Sequence, residues 1–409
     1  METIDLLITN ANELITLQGM HHPRVKQEMN ELGIIPHGSV AVNNGKIVEV
    51  GNDLSFKADT VINAKDCIVL PGFVDPHTHL VFGGSREFEL DWKLHGLSYM
   101  DIKQRGGGIG YTVEQTRAAS FTSLYQQSKQ RLDMMLRYGT TTCEAKSGYG
   151  LNTETELRIL EVQNTLNKDH PIDIISTFLG AHAIPEEYTT DGYVECVINE
   201  MLPIVKDHAE YCDVFCEEGF FSWDQSKEIL EKGKSFGLTP KIHADEIVDT
   251  NGAALAAEVG AISAEHLLNI NTKGMHALAK HHVIGVMLPG TPFCLMMKEY
   301  APARKMIDAG VPLALATDLN PNCYVENMQF MMQLGCFMMN MTPAEAITAA
   351  TYNAACAINR QNHIGSLEPG KQADIIILKL NNHQMLPYHF GVNHVHTVIK
   401  KGIIVHSSV

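Results

Sequence analysis

The stretch Leu70-Pro71-Gly72-Phe73-Val74-Asp75-Pro76-His77-Thr78-His79-Leu80 decides how the rest of the chain is read. An apolar run reaches a Pro-Gly turn, resumes as Phe73-Val74 and ends in His-x-His. Residues i and i+2 of a strand point to one face, roughly 6–7 Å apart, so two imidazoles leaving one strand end can reach a single metal ion. Two other segments stop in the same manner. His243 lies in Lys241-Ile242-His243-Ala244-Asp245-Glu246, and Asp318 ends Ala314-Leu315-Ala316-Thr317-Asp318. Three imidazoles and a carboxylate from separate strand ends (His77, His79, His243 and Asp318) make a site for a borderline metal such as zinc or iron.

Outward from that stretch, short β-rich segments alternate with amphipathic helices. Strands are predicted at Phe73–His79, Thr140–Lys146, Ile174–His182, Asp213–Glu218, Lys241–Glu246, Ala261–Leu267, Val283–Pro289 and Pro312–Asp318. Between them, Val113–Tyr138 reads as one helix closed by Gly139, and Asp224–Phe236 and Thr250–Val259 as two more. Eight β units separated by helices predict an α/β fold, a (β/α)8 TIM-like barrel over residues 70–364, with its site at the C-terminal strand ends. Ionisable residues gather at those ends: His77, His79, Lys146, His182, Glu217, His243, Glu246, His266 and Asp318. Residues 1–69 and 365–409 carry short alternating strands with turn signals such as Asn43-Asn44-Gly45. Neither segment buries enough alone, so the two are predicted to pair into one small β-sandwich beside the barrel.

Composition narrows the function classes. At 409 residues and 45% hydrophobic, the chain can bury a large core. A formal charge of −16 argues against nucleic-acid binding, which wants a basic face. No apolar run reaches the length of a membrane span, and Met1-Glu2-Thr3-Ile4-Asp5 does not read as a signal peptide. Nine scattered cysteines read as reduced, mostly buried thiols, which points to the cytoplasm. Gly106-Gly107-Gly108-Ile109-Gly110 lacks the spacing of a nucleotide loop and is expected to be a flexible loop over the barrel mouth. The methionine-rich run Met328–Met341 reads as a buried helix.

Metal ligands at the ends of strands one, five and eight of a barrel flanked by a terminal β-sandwich resemble the amidohydrolase superfamily. Within it, Asp75–Arg86, Gly106–Ile109, Lys146-Ser147-Gly148-Tyr149-Gly150-Leu151, Thr177–His182, His243–Glu246, Glu265-His266-Leu267, Asp318–Pro321 and Pro387–Asn393 resemble the imidazolonepropionase family over essentially the full length. That resemblance implies a hydrolase of histidine degradation that opens 4-imidazolone-5-propanoate to N-formimino-L-glutamate by attack of metal-bound hydroxide, working as a homodimer. It also implies that Arg86, Tyr149, His182, Glu246 and Asn320 bind the substrate or product. Many superfamily members hold two metals bridged by a carboxylated lysine at the end of strand four; here that end reads Phe215-Cys216-Glu217-Glu218, so one metal per subunit is predicted. Glu246, three residues past His243, is the candidate to take the water's proton and pass it to the leaving nitrogen; His266 would polarise the carbonyl, and Asp318 would share the proton handling. Where the family follows Asn-Pro with glycine and a small hydroxyl residue, this chain has Asn322-Cys323, which departs from its contacts. The rival readings are another amidohydrolase, such as a deaminase of purine-type rings, and a non-catalytic metal-binding barrel.

Overall fold

The computed structural model describes residues 3–97 and 99–408. Its centre is a parallel sheet of eight strands: β1 (Phe73–Asp75), β2 (Thr140–Lys146), β3 (Asp173–Ala181), β4 (Tyr211–Cys216), β5 (Thr239–Ala244), β6 (Ser263–His266), β7 (Ile284–Met287) and β8 (Leu313–Leu315). Each strand pairs with its sequence neighbour, and intervening helices cover the outer face. Contacts past the ends of β1 and β8 close the ring. Thr78 pairs in parallel with Leu319, and the His79 amide donates to the Leu319 carbonyl at 2.8 Å. Asp75 braces this seam by accepting from the Thr317 amide at 3.1 Å and its hydroxyl at 2.6 Å. Gly72 is required at the entrance to β1, because a Cβ there would lie 2.3 Å from the Thr141 side chain.

The helix predicted over Val113–Tyr138 is two helices, Gly108–Ala118 and Phe121–Arg137. Ala119 and Ser120 are extended between them, and the Ser120 hydroxyl accepts from the Ser123 amide. A serine whose side chain competes for a nearby amide caps a new helix more readily than it continues an old one. The glycine run 106–110 is likewise not a free loop. Gly107 caps the helix that begins at Gly108, whose amide donates to Glu89 at 2.6 Å. The methionine-rich run forms the helix Met328–Met339, most of it buried, with Phe337 and Met338 exposed.

The two ends of the chain share a second eight-stranded sheet. Thr3–Ile15 lies beside Ile34–Asn43, Lys57–Asn63 and Ile68–Pro71, with Lys46–Gly51 antiparallel to Ile34–Asn43 at the edge; Ile375–Leu378 then adds antiparallel to Ile68–Pro71, followed by Val395–Lys400 and Ile403–Ser407. The strand Ile68–Pro71 straddles the boundary expected at residues 69 and 70. The sheet curls around a core of its own that includes Leu6, Ile8, Leu14, Val40, Val69, Ile375 and Ile399. Among the described residues, no helix is long and apolar enough to cross a membrane.

Candidate active site

Alternation along the barrel strands places unusual side chains on the inward face. Glu144 and Lys146 follow each other at i and i+2 on β2, Lys241 and His243 on β5, and Ser263 and Glu265 on β6. Barrels of this class usually fill the interior with branched apolar residues. Here, beneath the histidines, charge fills it. The Lys146 ammonium sits 2.8 Å from Glu144, 2.8 Å from Asp213 and 2.9 Å from Glu265, all fully buried. Lys241 adds a contact of 2.9 Å to Glu265. Burial alone would drive the proton off Lys146; the Asp213, Glu144 and Glu265 carboxylates outweigh it and raise its pKa. Three carboxylates against two ammonium groups leave this layer one negative charge in excess, turned toward the histidines above.

That excess reaches two imidazoles. Glu265 approaches Nδ1 of His77 at 2.5 Å, and Asp213 approaches Nδ1 of His243 at 3.1 Å. A carboxylate on one ring nitrogen orients the imidazole and leaves Nε2 as the working face. His77 shows the effect: burial opposes a positive ring, yet Glu265 prevails and raises its pKa to about 9. On the working face, Nε2 of His77 lies 3.3 Å from Oδ1 of Asp318, and Nε2 of His79 lies 3.6 Å from the same oxygen. The Thr291 hydroxyl donates to Oδ2 of Asp318 and leaves Oδ1 free. Nε2 of His77, Nε2 of His243 and Oδ1 of Asp318 are buried without a hydrogen-bond partner. Buried polar atoms rarely stay unpaired, and convergent imidazole and carboxylate donors are the set a borderline metal takes. The residues therefore fit a metal ion. His77, His79 and His243 present donor atoms within 4.8 Å of one another, as do His77, His266 and Asp318. Asp213, His243 and Glu265 are equally close, but the contacts of Asp213 and Glu265 to Lys146 and to the Nδ1 atoms of His243 and His77 make those two carboxylates the supporting layer.

The remaining expected residues line one cavity of about 430 Å³ above this cluster. Glu246 is half-buried, and its Oε1 lies 3.5 Å from Nδ1 of His266. Burial, then the Asp318 and Glu217 carboxylates, raise the Glu246 pKa to about 8. Glu217 accepts from the amides of Glu246, Ile247 and Val248 at 2.8–3.2 Å, which pins the loop that presents Glu246. Glu156 does the same for the loop after β2, accepting from Gly148, Gly150 and Leu151. Tyr149 leaves that loop buried, 5.5 Å from His79 and 5.2 Å from His182 between ring centroids. Gly148 has φ +108, and a Cβ would stand 2.8 Å from the Leu179 carbonyl oxygen. His182 stacks on His79 at 4.8 Å, and its Nδ1 lies 3.0 Å from the Gly148 carbonyl oxygen. Burial, then the neighbouring His243, lower its pKa to about 4, so the ring is neutral. Asp245, His266 and Asp318 are among the non-glycine residues here with positive φ. Such backbone costs about 1–3 kcal/mol and concentrates at functional sites.

Two expected residues are engaged within the protein. The Arg86 fork meets Glu89 in a bidentate pair at 2.8 Å for both Nε and Nη2. The Asn320 side chain folds into its own turn, donating to the Asp318 carbonyl and accepting from the amides of Asn322 and Cys323. The buried layer of Glu144, Asp213, Lys241 and Glu265 had no role in the sequence reading. Its one signal is the period-2 recurrence of charge inside strands, Glu144-Ala145-Lys146 and Lys241-Ile242-His243.

An amidohydrolase family model matches residues 226–405. An imidazolonepropionase of Alkaliphilus metalliredigens is 52% identical over 413 residues, spanning 98% of this chain and 98% of that protein. One from Geobacillus kaustophilus is 53% identical over 414 residues, spanning 98% and 97%. Among solved structures, a zinc-bound adenosine deaminase of Xanthomonas campestris aligns with TM-score 0.75 at 20% identity, covering 98% of this chain and 93% of its own. A 5-methylcytosine deaminase of Klebsiella pneumoniae aligns with TM-score 0.75 at 16% identity, covering 98% of both. The two structures share the fold. The full-length relatives and the donor set at the barrel mouth say more: the chain belongs to the imidazolonepropionase family of amidohydrolases.

Proposed function

We propose that the chain hydrolyses 4-imidazolone-5-propanoate, breaking one ring C–N bond to give N-formimino-L-glutamate. The observation that carries this reading is 52–53% identity to imidazolonepropionases across 98% of the chain. His77, His79, His243 and Asp318 would hold one ion, zinc or iron; when bound, it supplies Lewis acidity and lowers the pKa of a water toward roughly 7. Lys146 supports a single ion, because a protonated amine enclosed by three carboxylates is not free to be carboxylated.

The chain's own groups do the rest. Glu246 accepts a proton from the attacking water and returns it to the departing nitrogen. What supports this is a carboxyl whose pKa lies near neutrality, close to His266 and held by Glu217. His266, raised on a left-handed turn, polarises the carbonyl that is attacked, and Asp318 shares the proton handling. Tyr149 and neutral His182 wall in the planar ring, and Arg86 faces the propionate end, with Asn320 shaping the same rim. Nine free, mostly buried thiols support a reducing cytoplasmic setting. The homodimer is carried by the resemblance alone.

The test is incubation of the metal-loaded protein with freshly made 4-imidazolone-5-propanoate, following its ultraviolet band. Loss of the band without ammonia release is expected. An intact band together with ammonia from a purine-type ring would replace this reading with a deaminase. Turnover of neither would leave a metal-binding barrel.

A further inference from the structure

Arg86 and Glu89 neutralise each other. Both Nε and Nη2 of Arg86 meet the Glu89 carboxylate at 2.8 Å, and Glu89 also accepts from the Gly108 amide. Glu89 is almost wholly buried, so the pair is a fixed part of the wall. Arg86 keeps its Nη1 side for a ligand, but the pair as a unit brings no net charge. An anionic group entering this end of the cavity would meet a guanidinium whose charge is already matched. It would then have to lose water without a compensating cation.

Lys93 supplies that cation. It stands one helical turn after Glu89, lines the same cavity, and has a side chain only 14% exposed. Its ammonium is 3.9 Å from Glu89, whose oxygens are already spent on Arg86 and Gly108. Its close partner is a neutral one: Nζ donates to Oδ1 of Asn322 at 2.5 Å. Asn322 comes from the loop after β8, two residues beyond Asn320, whose side chain accepts from the Asn322 amide and so fixes the loop. An amide partner steers an ammonium without cancelling its charge. The group of Arg86, Glu89 and Lys93 thus carries one net positive charge, the complement of one carboxylate.

We propose that Lys93, steered by Asn322, is the residue that makes the cavity select substrates with a carboxylate tail, while the Arg86–Glu89 pair shapes the subsite. This deepens the functional reading above and rests on it. The test compares 4-imidazolone-5-propanoate with its uncharged propanamide, using wild type, Lys93→Met and Lys93→Arg, each at matched metal content. Wild type is expected to prefer the carboxylate, and Lys93→Met to lower that preference in kcat/KM at least tenfold, through KM. Lys93→Arg should restore most of it. A role confined to structure would lower both substrates alike and leave the ratio unchanged. That result, or a Lys93→Met ratio within threefold of wild type, overturns the proposal while the ring-opening activity stands. A wild-type protein that opens neither compound overturns the functional reading itself, and this inference with it.

Discussion

Inside the terminal sheet the buried faces are Leu6, Ile8, Val40, Ile375 and Ile399; inside the barrel, at the level of the site, they are Glu144, Lys146, Asp213, Lys241 and Glu265. The first set needs only to leave water. Each buried aliphatic side chain contributes about 1.5–3 kcal/mol, and the loss of one methyl is tolerated. The second set must be complete, because desolvating a charge costs several kcal/mol unless its partners are all present. Replacing such a layer by well-packed apolar residues is often neutral or stabilising, so stability does not explain it. Position does: the charges lie directly beneath the Nδ1 atoms of His77 and His243. The terminal sheet holds the ends of the chain together; the barrel interior spends stability to aim two imidazoles.

The comparison breaks most visibly at Lys146. Lys146→Met nearly keeps the volume but leaves Glu144, Asp213 and Glu265 without their shared cation, and we expect a loss of about 3–5 kcal/mol in urea unfolding together with the metal. A loss below 1 kcal/mol would show that the layer is not the coupled unit described here. His243→Ala should act on the site more than on the fold. A cooperative unfolding transition is expected to remain while elemental analysis finds the metal gone and activity is lost; full metal content would remove His243 from the donor set. In the terminal sheet, Ile375→Val should cost only about 0.5–1.5 kcal/mol and leave kcat within twofold, since that core touches no group of the site.

The smallest effect belongs to the seam between the regions. Asp173, at the start of β3, pairs with Lys400 at 2.8 Å and Lys401 at 2.7 Å, both on or next to the strand Val395–Lys400. Burial would raise its pKa, but Lys400 and then the hydrogen bonds to both lysines lower it. A depressed carboxyl contributes stability that is present above its unfolded pKa of about 3.9 and is lost as pH falls through the folded value. Asp173→Asn should therefore flatten stability between pH 5 and pH 3, read from urea unfolding as a function of pH. An unchanged acid slope would mean that the seam is not held by this charge.

How far the sequence could be read follows the same divide. Strand ends were legible because apolar runs stop at chemistry-bearing residues: β2 was predicted at Thr140–Lys146 and lies there, and β5 differs only by its shift to Thr239–Ala244. The break at Ser120 was hidden, since Val113, Leu124 and Leu132 keep a helical rhythm across it and only the Ser120 hydroxyl betrays a new start. Pairings across long separations were not legible at all. Asn322 meets Lys93 from 229 positions away, and Glu217 reaches the amides at 246–248 only because β4 and β5 are neighbours in the closed ring. Arg86 was recognisable as a carboxylate binder by type. That its own protein supplies Glu89 as the first carboxylate follows from one turn of helix and the glycine cap at Gly107, which the sequence reading took for a mobile loop.

In the proposed mechanism the groups at the strand ends open the imidazolone ring, and Glu246 carries the proton. Glu246→Gln tests it most directly, because the substitution keeps shape and hydrogen-bonding capacity while removing the titrating group. With 4-imidazolone-5-propanoate as substrate, kcat is expected to fall by about 10²–10⁴-fold, with metal content near wild type and KM changed far less. A variant that retains more than about a tenth of wild-type kcat would move the proton to His266 or Asp318 and contradict the account at its central step.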